Sequence, residues 1–182
     1  MKRNLLFFVF SVFILPIAFS QNSANWTHFR GSSMNGHAEV KTAPLHWSDS
    51  TNVVWKAQVK GLGWSSPVIF GKQIWVTSAK EDGTEFYTLC FDLETGKLLD
   101  EKTIFTCPDP QGIHGTNSYA TPTPCIEAGF VYVHYGTFGT ACINTTTFEV
   151  AWKREDLKAA HMQGPASSVI LHNNKLIVHL EG

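Results

Sequence analysis

The residues with most chemistry to offer fall in three loops of similar character. Leu62 to Ser66 reads LGWSS, Ile113 to Thr121 reads IHGTNSYAT, and His161 to Ser168 reads HMQGPASS. Together they bring Trp64, His114, Asn117, Ser118, Tyr119, His161 and Gln163 into view as candidate ligand-binding residues. Amide, hydroxyl and imidazole groups orient a ligand by hydrogen bonds, and an aromatic ring at a concave mouth gives it a face to stack on. The same Ser, Thr and Asn side chains also cap backbone turns, so their competing role is structural. No catalytic residue is assigned. Ser65 and Ser66 in GWSSP lack the Gly-x-Ser-x-Gly spacing of a nucleophile elbow, and the chain has no Gly-rich phosphate loop. It also has no Cys-x-x-Cys and no Cys-x-x-Cys-His haem attachment. Of the eight histidines, His28, His37 and His46 precede the loops, while His134, His172 and His179 are scattered on apolar runs. Only His114 and His161 pair across neighbouring loops, and two such residues assign no metal site.

The elements that position these loops repeat. SSPVIFGKQIWV (Ser65 to Val76), TPTPCIEAGFVYV (Thr121 to Val133) and SSVILHNNKLIV (Ser167 to Val178) superpose without a gap. Pro67 falls on Pro124 and Val169, Ile74 on Val131 and Leu176, Val76 on Val133 and Val178. LCFDLETGKLLDEK (Leu89 to Lys102) matches ACINTTTFEVAWKR (Ala141 to Arg154) in the same way, with Cys90 on Cys142, Asp92 on Asn144 and Thr95 on Thr147. Each unit alternates short apolar runs with Gly- or Asp-bearing turns, which is hairpin chemistry. Strands are predicted near 67–70, 74–79, 85–91 and 98–104, then near 123–126, 130–135, 140–143 and 148–153. Two more fall within 168–180, and one outer strand near 52–59. Four short antiparallel strands recurring at this period point to a β-propeller blade.

The last hairpin carries a more specific likeness. Asp92, Thr95, Gly96 and Lys97 fit Asp-x-x-Thr-Gly-Lys-x-x-Trp, with Asp100 where Trp is expected. Asn144, Thr147 and Trp152 fit it again, with Phe148 in place of Gly, and Trp55 sits where a preceding unit's Trp would fall. With NWTHFRG (Asn25 to Gly31) and IHGTNSYATPTP (Ile113 to Pro124), the chain resembles exported bacterial proteins of the pyrroloquinoline-quinone-like (PQQ-like) propeller repeat, over residues 26–182. That resemblance implies an all-β fold, a β-propeller of four-stranded antiparallel blades. About two and a half blades are present, near 66–104, 123–153 and 168–182, within a propeller segment 52–182. It implies that the Trp152 ring is buried between neighbouring blades. It also implies that the chain is the N-terminal fragment of a longer propeller. Quinoprotein dehydrogenases of this fold stack PQQ on a disulfide of adjacent cysteines and hold Ca²⁺ on acidic residues. This chain has no adjacent cysteine pair, so PQQ and Ca²⁺ are implied by fold analogy only and the cofactor is left unassigned.

The address is read from the start. Met1-Lys2-Arg3, an apolar run from Leu5 to Phe19 and Ala18-Phe19-Ser20 make residues 1–20 a secretory signal peptide, with cleavage before Gln21. Residues 21–51 form an N-terminal extended segment. The run is short for a bilayer span, so no stable membrane insertion is expected after cleavage, and the product is periplasmic or secreted. Export permits disulfides, and Cys107 with Cys125 is the likelier pair; Cys90 and Cys142 read as buried thiols. A net charge of −1 with both signs well mixed excludes a nucleic-acid surface. Two classes of function remain. One is a non-catalytic exported module that binds a protein, glycan or small ligand. The other is a PQQ-dependent dehydrogenase whose remaining site residues lie beyond this sequence.

Overall fold

The structure is a computed structural model that describes residues 25–38, 40 and 42–180. The signal-peptide assignment and the cleavage before Gln21 lie outside the described residues. Three antiparallel sheets follow one another along the chain. The first holds β1 (Val68–Phe70), β2 (Gln73–Ala79), β3 (Glu85–Asp92) and β4 (Leu98–Thr106). The second holds β5 (Cys125–Glu127), β6 (Phe130–His134), β7 (Thr140–Asn144) and β8 (Val150–Arg154). The third is the hairpin β9 (Ile170–His172) and β10 (Lys175–Ile177). In both larger sheets, spatial order follows chain order. The class is all-β. The one helical turn among the described residues is a 3₁₀ turn at Gly136–Phe138, inside the β6–β7 connection.

The matching sequence segments fold alike down to individual hydrogen bonds. The Asp92 carboxylate accepts from the backbone N–H groups of Glu94 (3.1 Å) and Thr95 (2.8 Å) and from the Thr95 hydroxyl (2.6 Å). The Asn144 amide oxygen accepts from the N–H groups of Thr146 (2.8 Å) and Thr147 (3.0 Å). These side-chain bonds take the place of ladder bonds and force the strand to turn. The Leu93 N–H then reaches the Lys72 carbonyl (2.8 Å), and the Thr145 N–H reaches that of Gly129 (2.9 Å), so each last turn closes on the unit's own first hairpin.

Both faces of β3 are covered. Phe86 and Cys90 face the second sheet in the main apolar cluster, while Tyr87, Leu89 and Phe91 join Ile74 under Trp55 and Ala57. The sequence reading places an outer strand near 52–59. The structure has none there: residues 53–59 have no ladder partner, and Trp55 and Ala57 pack on the sheet through their side chains. The main cluster is rich in rings. Phe86 stacks on Phe138 (centroids 4.7 Å apart) and meets Tyr135 and Tyr119 edge-on at 5.2 and 6.3 Å. Edge-to-face packing suits the ring quadrupoles and ties the two sheets together.

The Trp, Gly, Asp and Phe exchanges noted in the sequence resolve into a pair of alternative joints. At the first joint the Trp55 indole lies on Gly96, where an added Cβ would sit 2.5 Å from the ring, and its Nε1–H donates to the Leu93 carbonyl (3.0 Å). At the second joint, 52 residues on, Phe148 replaces Gly96 and keeps its left-handed backbone (φ 60° against 70°). The Phe148 ring packs on Trp75 (5.9 Å). Trp75, Cys90 and Asp100 form one cross-strand row, so Asp100 occupies the place a tryptophan would take. The Thr145 carbonyl, equivalent to that of Leu93, is reached through a relay. The Trp75 Nε1–H donates to the Gln73 Oε1 (3.0 Å), and the Gln73 Nε2–H donates to Thr145 O (2.8 Å). Trp152 does not follow the expectation of full burial. It is 38% exposed and leans on Tyr132 (6.2 Å), beside Leu157, Leu176 and Val178.

All four cysteines are free thiols. Cys107 and Cys125, the likelier pair if a bridge existed, are not joined: Cys125 is fully enclosed at the start of β5, and Cys107 packs half-buried on the main cluster. Burial pushes the Cys90 and Cys125 thiols up to about 12, with the Asp100 carboxylate a smaller cause at Cys90, so neither supplies a thiolate near neutrality.

Candidate functional site

The first strands of the three sheets lie side by side. A ladder of side-chain hydroxyls joins them. The Ser66 N–H donates to the Thr123 Oγ1 (2.9 Å), and the Thr123 N–H donates to the Ser168 Oγ (3.0 Å). Ser66, Thr123 and Ser168 are equivalent positions of the three repeats, spaced 57 and 45 residues apart like Pro67, Pro124 and Val169. The small hydroxylated residues that open each repeat are therefore the joints between repeats.

A second series crosses the same strands. The N–H of Ile69 donates to the Trp26 carbonyl (2.8 Å), that of Ile126 to the Thr27 carbonyl (3.0 Å), and that of Leu171 to the His28 Nε2 (3.4 Å). Ile69, Ile126 and Leu171 are again equivalent. Three consecutive residues of the N-terminal segment thus serve three equivalent backbone donors. Asn25 adds a bond to the Gly71 N–H (2.9 Å). Because His28 Nε2 accepts, its Nδ1 carries the proton and donates to the Thr27 hydroxyl (2.8 Å). Burial lowers the pKa of this ring.

Strap and ladder frame a cavity of about 560 Å³. His28, Phe29, Arg30 and Met34 come from the N-terminal segment, and Trp64, Thr121 and Thr123 from the entries to β1 and β5. Ala166 to Ile170 and His179 complete the wall; the Ser167 hydroxyl and His179 Nδ1 are 3.2 Å apart. The sequence reading missed His28, Arg30, Thr123, Ser168 and His179. The recurrent Ser-Thr-Ser position was the available signal for Thr123 and Ser168.

The seven residues singled out in the sequence divide among neighbouring cavities. Trp64, 60% exposed, stands between this cavity and a cleft of about 280 Å³. His114, Asn117, Ser118 and Tyr119 line that cleft together with Lys80 and Glu81. His161 instead lines a small, partly open space of about 20 Å³ beside His134, Thr137 and Pro165, room for one water. Both His161 ring nitrogens are buried there without a partner among the described residues, and burial lowers its pKa. Gln163 joins through its backbone carbonyl, which accepts from the Asn117 Nδ2 (2.7 Å) and the His114 N–H (3.2 Å).

Several of these groups are committed to structure. Asn117 Nδ2 also reaches the Pro165 carbonyl (3.3 Å), while its Oδ1 accepts from the Ser118 N–H (2.8 Å) and the Thr121 hydroxyl (2.5 Å). Tyr119 is 9% exposed, its ring lies against Phe86 and Phe138, and its hydroxyl donates to the Gln111 carbonyl (3.0 Å). It packs as a core residue; the ring left bare for stacking is that of Trp64. The Asn117 bonds fix loop 113–121 to loop 161–168. Asn117→Asp is nearly isosteric but points an oxygen at two carbonyls. It is expected to cost about 2 kcal/mol and to raise hydrogen exchange across 161–168. A change below about 0.5 kcal/mol in urea unfolding overturns that role.

The cofactors implied by the PQQ resemblance can be tested against these groups. Among the described residues, the lining of the larger cavity contains no Asp or Glu, and Ca²⁺ takes carboxylate-rich oxygen sets. No group of three His, Cys, Asp or Glu among the described residues is placed to hold a metal ion. The residues present do not fit a PQQ–Ca²⁺ pair. No protein-family model matches the chain, and no curated protein matches it.

Proposed function

We propose that the chain is a PQQ-like β-propeller segment of an exported protein that acts as a non-catalytic binding module, holding a small ligand in its axial cavity. The carrying observation is the serial bonding of equivalent positions, Ser66 to Thr123 to Ser168, around a cavity of about 560 Å³. Equivalent atoms bonded in sequence are what units arranged around a common axis would give, as blades do. Cavities of roughly 300–1,000 Å³ with apolar walls and a few fixed polar groups suit small ligands. Trp64, Phe29 and Met34 supply exposed apolar surface, Thr123 and Ser168 supply hydroxyls held by backbone N–H groups, and Arg30 supplies a cation. His28 has both nitrogens engaged and is not free to act as a base.

Chemical-shift mapping of the full chain against a diverse set of small ligands tests this reading. Perturbed amides are expected at Trp64, Thr123, Ser168, Val169 and Ile170, and to vanish for the same ligand in Trp64→Ala. A set that perturbs none of them, or perturbs only the outer strands, overturns the reading.

A further inference from the structure

We propose that the axial cavity selects a carboxylate carried on a six-membered ring. This rests on the cavity being a binding site and names the chemistry it takes. Among the described residues the lining offers donors and no acid. It holds the permanent cation Arg30 and the hydroxyls of Thr123 and Ser168, with no Asp or Glu among the described residues. Thr123 Oγ1 and Ser168 Oγ each already accept a backbone N–H, which leaves their protons to donate. A neutral polyol needs side-chain acceptors for its own hydroxyl protons, and an oxyanion needs donors. The wall matches the second.

Arg30 is the group that would take the charge. No carboxylate among the described residues forms an ion pair with it. Its loop is built rather than loose. The Gly31 N–H donates to the His28 carbonyl (2.9 Å), the Gly36 N–H to the Arg30 carbonyl (2.8 Å), and the Trp26 ring lies under Gly31. Arg30 adopts a left-handed backbone (φ 64°), an uncommon state for a side-chain-bearing residue. Its guanidinium lies against Gly36, where a Cβ would come within 3.3 Å of Nε. A planar guanidinium fork is suited to bidentate contact with a carboxylate. Trp64, Phe29 and Met34 are all exposed at the same cavity, and an indole face accepts either an aromatic ring or the C–H face of a sugar ring.

The two sources of such a ligand are an aromatic acid and a sugar acid. Titration calorimetry on the full chain separates them with four compounds: benzoate and D-galacturonate, and their neutral counterparts benzyl alcohol and methyl galactoside. At least one acid is expected to bind at least tenfold tighter than its counterpart at low salt, and to weaken as salt rises. Which acid binds names the source. Arg30→Gln is expected to remove the tenfold preference, and Arg30→Lys, which keeps charge without the fork, to fall between. The salt dependence of the unmodified chain carries the test if a variant is misfolded. Equal binding of acids and neutral counterparts, unchanged in Arg30→Gln, overturns the carboxylate inference and leaves the binding reading standing. The same holds if neither acid binds while other small ligands perturb the cavity amides. If nothing perturbs those amides, both fall.

Discussion

Gly96→Ala is expected to destabilise the fold by about 3 kcal/mol, well above the ordinary effect of a surface turn substitution. Two causes add. The backbone at Gly96 is left-handed (φ 70°), which costs a residue with a Cβ roughly 1–2 kcal/mol. The new methyl would also lie 2.5 Å from the Trp55 indole, so the ring must lift. Lifting it lengthens the Nε1–H bond to Leu93 O and uncovers Tyr87, Leu89 and Phe91. The second joint supplies the control. Phe148 holds the same backbone with a large side chain, and Asp100 stands where the preceding unit's outer-strand tryptophan would lie; the ring it meets is Trp75 of β2, packed on its side chain and not on its Cα. The collision, more than the dihedral, should therefore dominate at Gly96. A double-mutant cycle in urea separates the two: in a Trp55→Ala background, Gly96→Ala should cost only about 1 kcal/mol. An equal cost in both backgrounds assigns the whole effect to the backbone. A loss below about 1 kcal/mol in the parent chain shows that Trp55 is not held there.

That joint also marks how far the sequence could be read. The hairpins, the repeat and the Asp92 and Asn144 turns were legible because they are local: apolar alternation, turn residues and short-range side-chain bonds all lie within a few positions. The exchange of Trp and Gly for Asp and Phe was visible as a departure from pattern. What it meant was not, because Phe148 meets Trp75 across 73 residues of chain. The strap was hidden for the same reason. Nothing in Trp26, Thr27 and His28 announces that they meet Ile69, Ile126 and Leu171, although the equivalence of those three was already on the page. The candidate site suffered most. Asn117 and Tyr119 have ligand-binding residue types, yet local geometry spends the amide on two loops and the ring on the core. Arg30 gave no periodic signal, since the loop that carries it does not recur.

Lowering the pH from 7 to 4 is expected to remove about 3 kcal/mol of stability through His134 alone. This residue lies on β6, 1% exposed, with its Nδ1 2.8 Å from the Thr140 hydroxyl on the paired strand. Burial pushes its pKa down to about 4 from 6.5. The sign follows from which state binds the proton first. Between about pH 6.5 and 4 the unfolded chain protonates His134 while the folded chain keeps it neutral. Acid therefore draws the equilibrium toward unfolding, and above pH 6.5 the group contributes no slope. A gap of about 2.5 pH units at 1.36 kcal/mol each gives about 3 kcal/mol. Burial lowers the His28 and His161 pKa values too, so the strap and the 161–168 loop titrate in the same direction. The carboxylates act in a separate window. Lys80 and Thr84 hold Asp82, and Arg154 holds Asp156, down at about 2, so stability tied to them is lost only as pH falls from near 4 toward 2. Urea unfolding at pH 7, 6, 5 and 4.5 resolves the histidine window. His134→Gln keeps an amide for Thr140 but does not titrate, and it should flatten the slope there by up to one proton. Parallel slopes for the two proteins would place the titrating group elsewhere and leave His134 a neutral packing residue at every pH.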